Sequence, residues 1–208
     1  SGFLTPSFNF NFFDTKISQS NSFPYYFNLS IDKELTFTPT FNYGGGVDSS
    51  QRFNFDYNQL LSGGDLNLNL TFDSNFENQN NNKWLSNASL ITSYKQNINE
   101  KFRLKLDSAL QTSKEYIQIT DPNNDLSYQS SLSTKFNIEG YNIKKIDDKL
   151  LLNLSHYQSN QNDEDNKTTP IVLPYIEYYS GFNKFKDIDI ENRFTFYNIN
   201  RDKNTDIH

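Results

Sequence analysis

The chain is 208 residues long, contains no cysteine, and carries a net charge of -6 with a pI near 4.9. Disulfides and thiolate metal sites are therefore excluded, and the scatter of the basic residues argues against a nucleic-acid partner. A hydrophobic fraction of 35% and a mean hydropathy of -0.77 are poor for a soluble core, yet 16% of the residues are aromatic, with 19 Phe and 13 Tyr.

Much of that apolar material sits at every second position, the pattern of a sheet with one greasy face. The first run starts near Phe3 and sets Phe8, Phe10 and Phe12 against Asn9 and Asn11. The second is Pro24 to Ile31, in which Tyr25, Phe27, Leu29 and Ile31 oppose Tyr26, Asn28 and Ser30. The third, Leu35 to Tyr43, follows the short charged break Asp32-Lys33-Glu34, so the two are expected to pair as an antiparallel hairpin. Phe53, Phe55 and Tyr57 mark a fourth strand, and Leu66, Leu68, Leu70 and Phe72 a fifth. A sixth runs from Trp84 to Tyr94, and in the seventh Leu104 and Leu106 oppose Arg103, Lys105 and Asp107. The eighth extends from Leu126 towards Ile143, and the ninth carries Leu150, Leu152 and Leu154. The tenth spans Pro170 to Tyr179, and the eleventh spans Ile188 to Asn198 with Ile188, Ile190, Phe194 and Phe196 on one face.

The expected fold is all-β: an antiparallel transmembrane β-barrel fragment of about eleven meander strands, with residues 1–208 forming a partial outer-membrane barrel domain. Connections after the odd-numbered strands are polar stretches such as Asn75 to Lys83 and Gln111 to Asp125, whereas those after the even-numbered strands are mostly tighter. Long loops on one side and short turns on the other are the habit of outer-membrane barrels, which places the start of the chain on the periplasmic side. There is no run of about 18 apolar residues to make a spanning helix, but alternating strands average as polar and escape that test. No signal peptide is visible and the chain opens without Met at Ser1-Gly2-Phe3, so it reads as a piece of a longer protein.

Candidates for chemistry are few. Asn78 to Lys83 is low-complexity and reads as a solvated loop. Asp163-Glu164-Asp165 has the charge to hold a divalent cation but also reads as a solvated loop tip. Gly44-Gly45-Gly46 lacks the following helix and the Lys-Ser/Thr of a phosphate cradle. His156 and His208 are the only histidines, so there is no His cluster for metal, and a nucleophile triad has one plausible base without a partner at a recognisable spacing. No catalytic residue, cofactor or metal is expected.

Proline is the exception to a bland pattern. Pro6, Pro24 and Pro39 fall within the first three strands and Pro170 and Pro174 within the tenth, although proline donates nothing to a ladder. Each missing bond weakens pairing by roughly 0.5 to 1.5 kcal/mol. Either the prolines mark strand starts and bulges, or they weaken a seam meant to open.

At these residues the chain resembles a family. Gly2-Phe3-Leu4-Thr5-Pro6-Ser7-Phe8, then Pro24-Tyr25-Tyr26-Phe27-Asn28-Leu29, then Leu35-Thr36-Phe37-Thr38-Pro39 are similar to the GFLxP, PYYxN and TxTP strands that open the barrel domain of LptD (OstA) proteins, which assemble lipopolysaccharide in Gram-negative outer membranes. The similarity is strong to about Tyr43, and Trp84 and Pro170 to Tyr178 fit more loosely. It implies a very large barrel preceded by a jellyroll domain, an LptE-like plug lipoprotein, and lipopolysaccharide delivered over an LptA-like periplasmic bridge. It also implies that the lipid leaves into the outer membrane through a lateral gate between first and last strands, with Pro6 and Pro24 as the gate residues. The jellyroll, the last strand and the family's cysteines are not among these residues, so transport could not be complete in this stretch alone. Two other readings remain open: an unrelated porin or receptor barrel, and a secreted β-sandwich adhesin. A hydrolase built on His156 is a distant third.

Overall fold

Alternating side chains leave the backbone to pair strand by strand, and it does so as one antiparallel meander. The computed structural model describes residues 1–13, 16–44, 50–75, 87–113, 116–121, 123–144, 147–160, 169–180, 183–185 and 188–201. The first strands are β1 (Gly2–Phe3), β2 (Ser7–Phe13), β3 (Lys16–Ser22), β4 (Tyr25–Ser30) and β5 (Lys33–Gly44). They are followed by β6 (Ser50–Leu61), β7 (Gly64–Asn75), β8 (Asn87–Asn97) and β9 (Phe102–Gln111). A short helix, α1 (Tyr116–Thr120), and a 3-10 turn at Asp125–Tyr128 precede β10 (Ser131–Tyr141), β11 (Lys149–Ser159) and β12 (Ile171–Tyr179). The last strands are β13 (Asn183–Phe185), β14 (Ile188–Ile190) and β15 (Arg193–Asn200).

Thirteen strands share one sheet, and β13 pairs with β14 in a separate ribbon. The main path runs β1-β4-β5-β6-β7-β8-β9-β10-β11-β12-β15, with β2 beside β3 and β3 beside β5. Register shows that the short strands are halves of longer ones. Ser22 faces Thr40 and Tyr25 faces Phe37 on β5 without a slip, so β3 and β4 are one strand interrupted at Phe23-Pro24. Phe3 faces Tyr25 while Ser7 faces Ser22, so β1 and β2 are likewise one strand with an extra residue at Thr5-Pro6. The first and last strands of the path do not pair with each other, and the sheet is open.

Long strands suit the pattern because each large side chain meets a like one on its neighbour. Phe37 stands beside Phe55 at 4.7 Å between ring centres, Phe53 beside Phe72 at 5.3 Å, and Phe3 lies edge-on to Tyr25 at 4.9 Å. Each such pair contributes roughly 0.5 to 1.5 kcal/mol beyond the area it covers. No described element packs over this face. Phe8, Phe10, Leu173, Phe194 and Phe196 are exposed, and the only buried hydrophobic residues among those described are Ala109, Tyr116, Ile117 and Leu132.

Three sequence expectations need correction. Lys16–Ser22, read as part of a polar loop, is a strand: β2 and β5 supply hydrogen-bonding partners on both sides whatever its side chains are. Leu126 to Gln129 is not strand, because the Asn124 side chain accepts from Leu126 N at 3.0 Å and winds the backbone into a 3-10 turn before β10 begins. Ile188 and Ile190 belong to β14, paired with β13, and do not continue into β15. Trp84, residues 78–83, the acidic run 163–165, Gly45, Gly46 and His208 lie outside the described residues. The connections follow the expected alternation only in part: residues 31–32 and 62–63 are two-residue turns and a long connection joins β9 to β10, but the first polar stretch is strand β3 and not a loop.

Candidate functional site: the proline seam and the polar face

Pro24 and Pro39 act on the hydrogen bonds of the first strands in the same way. In an antiparallel ladder the N–H and C=O of one residue point to the same neighbour, and hydrogen-bonded partners exchange two bonds. Leu4 N donates to Pro24 O at 2.9 Å, but Pro24 has no N–H to return. Phe23 N donates to Pro39 O at 3.0 Å, and again nothing is returned. Two adjacent ladders are therefore each one bond short at the same height. Pro6 sits in the extra-residue step between β1 and β2, outside either paired register. The structure thus brings Pro6 and Pro24 to one place and adds Pro39, which the sequence reading placed in a strand but did not assign to a gate. Its signal was present in register: the residue preceding Pro24 pairs with Pro39.

Pro170 and Pro174 take the other explanation. Pro170 lies immediately before β12, and Pro174 falls where β12 shifts register against both β11 and β15. The Leu173-Pro174 bond is cis.

The second feature is the polar face. Arg52 Nε binds Asp73 Oδ1 at 2.9 Å, Lys105 Nζ binds Glu139 Oε1 at 2.7 Å, and Arg193 binds Glu177 at 2.7 Å. Between them Asn54 donates to Asn69 and Thr71 at 3.0 and 2.7 Å, and Asn153 donates to Asn137 at 2.6 Å. Charges are thus matched across strands and the amides are spent on one another, which leaves a wet surface of low net charge. The hydroxyl and amide side chains of β2, β3 and β5–β8, with α1, line a cleft of about 460 Å³. Tyr116 of α1 is buried beside this face, and its phenol is pushed above its ordinary range by that burial first and by the nearby Asp73 carboxylate second.

His156 is exposed within β11, between Thr134 of β10 and Ile171 of β12. No group of three His, Cys, Asp or Glu side chains that could hold a metal occurs among the described residues, and none of the described helices is long and apolar enough to cross a membrane.

Fold and site together define an all-β antiparallel meander with one aromatic and aliphatic face, one polar face, and a proline-weakened first edge. No family model matches the chain, and no curated protein is significantly similar to it.

Proposed function

We propose that the chain is the N-terminal part of an LptD-type outer-membrane barrel, a component of the machinery that inserts lipopolysaccharide into the outer leaflet and not an enzyme. The observation that carries this reading is the aromatic face: no described element covers it on strands β5–β12, where most of its Phe and Leu side chains are half-buried beside their cross-strand neighbours, and those strands are 9 to 12 residues long. Tilted strands of about 9 to 11 residues cross a hydrocarbon layer, so lipid is the partner that this face fits. The polar face then lines a lumen through which a sugar headgroup could pass. Pro24 and Pro39, each removing one bond from adjacent ladders near the edge, support a seam that opens to the membrane. The missing strands, an LptE-like plug and an LptA-like bridge belong to the rest of the assembly.

The test uses the full-length parent in cells that depend on it. Pro24→Ala with Pro39→Ala restores two donors, each worth roughly 0.5 to 1.5 kcal/mol, and should tighten the seam. Newly made lipopolysaccharide should then reach the surface more slowly, and Pro6→Ala should add to the effect. Export and outer-membrane permeability that stay at wild-type levels in the triple variant would refute the gate.

A further inference from the structure

On the polar face, one cross-strand pair of β8 and β9 departs from the hydroxyl, amide and charged pattern around it. Ile91 of β8 and Ala109 of β9 are direct cross-strand partners, in a series whose other members are Ser89, Ser93, Asp107 and Gln111. Neighbouring strands thus present an apolar patch flanked by hydroxyl, amide and carboxylate side chains. The connection between β9 and β10 sits on it. Ile117 of α1 is 1% exposed and clusters with Ala109 and Leu132, while Ile91 and Leu126 pack against that cluster.

Polar contacts fix the same segment. Gln111 Oε1 accepts from Ile117 N at 3.0 Å, and Gln111 Nε2 donates to Asn160 Oδ1 at 2.5 Å. Asn160 Nδ2 in turn donates to Gln129 O at 3.0 Å, so the start and end of the connection are tied through one side chain. Gln158 closes the arrangement by accepting from Gln111 N and donating to Gln111 O. Gln111 and Asn160 are both buried.

Loops ordinarily run over the surface and leave the elements they join unchanged. Here the sheet has placed two apolar residues on its polar side to receive a loop, and the buried apolar cluster of the described chain forms between the loop's Ile117 and the sheet's Ala109 and Leu132. We propose that the connection at residues 112–130 is a built-in plug, docked inside the barrel and narrowing the channel that the polar face lines. The inference rests on the barrel reading above but holds for any barrel with this face inward, whether or not it carries lipopolysaccharide.

The test again uses the full-length parent in its own outer membrane. Two variants release the segment by different means: Ile117→Asp puts a charge on the apolar patch, and Gln111→Leu removes the latch to Ile117 and Asn160 without adding charge. Leu110→Ala, on the opposite face of β9, is the control. Heat-modifiable migration on a gel reports whether each protein is a folded barrel. Uptake of a chromogenic β-lactam, read by a periplasmic β-lactamase, reports the channel. The plug predicts a several-fold rise in uptake for both releasing variants and none for the control, together with cleavage within 112–130 by protease added to whole cells. Folded barrels with wild-type uptake in both variants would overturn the plug and leave the barrel standing. A parent that is not a heat-modifiable outer-membrane protein would overturn both.

Discussion

At the scale of single residues, short polar side chains decide how the turns are built. The Ser30 hydroxyl donates to Asp32 Oδ1 at 2.5 Å in the turn between β4 and β5, and this holds the Asp32 carboxyl below the usual carboxylate range, with its own backbone and Lys33 adding to the effect. A carboxylate lowered in the folded state stabilises the fold above its unfolded pKa, about 3.9, and that contribution disappears as pH falls through the lowered folded value. Ser30→Ala should therefore move the Asp32 titration upward, towards the ordinary range, in a carboxyl NMR titration of the full protein, and any stability difference between the two proteins should vanish in acid. Equal midpoints would show that the hydroxyl is not the cause. Residues of this kind are only half legible in a sequence. The charged break at Asp32-Lys33-Glu34 announces a turn, but which hydroxyl reaches which carboxylate depends on the slip between Asn28 and Ser30 against β5, which no spacing rule reveals. The same holds for the proposed gate. Pro6 and Pro24 can be named from their motifs, whereas the role of Pro39 depends on its being opposite Phe23.

At the scale of elements, what sequence makes legible is the side-chain alternation, and what it hides is the backbone pairing. Strands β5–β7 announce themselves because Phe and Leu recur at every second position. Strand β3 does not, since Lys16–Ser22 holds one aliphatic residue and its existence rests on partners at both sides. The docking patch was hidden for the opposite reason: Ile91 and Ala109 are ordinary strand residues until their register puts both on the polar side. Close packing of backbones is equally invisible. A Cβ on Gly64, where β7 begins, would lie 2.0 Å from Lys95 O and 2.8 Å from the Gln96 Cα of β8. These are backbone atoms, which cannot swing aside. Gly64→Ala should therefore force β7 and β8 apart at this end and cost about 1 to 3 kcal/mol in urea unfolding of the full protein. Gly2→Ala, where a Cβ meets nothing within 4 Å, should leave the midpoint unchanged. A Gly64→Ala midpoint equal to wild type would mean that β8 is not held this tightly against β7.

At the scale of the whole molecule, the decisive quantity is apolar surface without a protein partner. A water-soluble sandwich would cover its aromatic face with a second sheet about 10 Å away, and buried pairs of inward side chains would mark the contact. Among the described residues the contacts between elements run almost entirely between sheet neighbours, and the buried apolar cluster belongs to the segment docked on the polar side. Contiguous exposed apolar surface beyond a few hundred Å² marks an interaction site or a membrane-facing surface. The sheet also ends in two unpaired edges, one interrupted at Thr5-Pro6 and one on β15, which carries exposed Phe194, Phe196 and Ile199. Free edges of this length are normally covered or paired, so further strands are expected to complete the circle. The full-length parent should accordingly fractionate with the outer membrane, need detergent or lipid to stay in solution, and show β-sheet circular dichroism and heat-modifiable migration once there. A parent that stays monomeric and soluble without detergent would mean that something other than lipid covers the aromatic face. In that case the secreted sandwich replaces the barrel, and the gate and the plug fall with it.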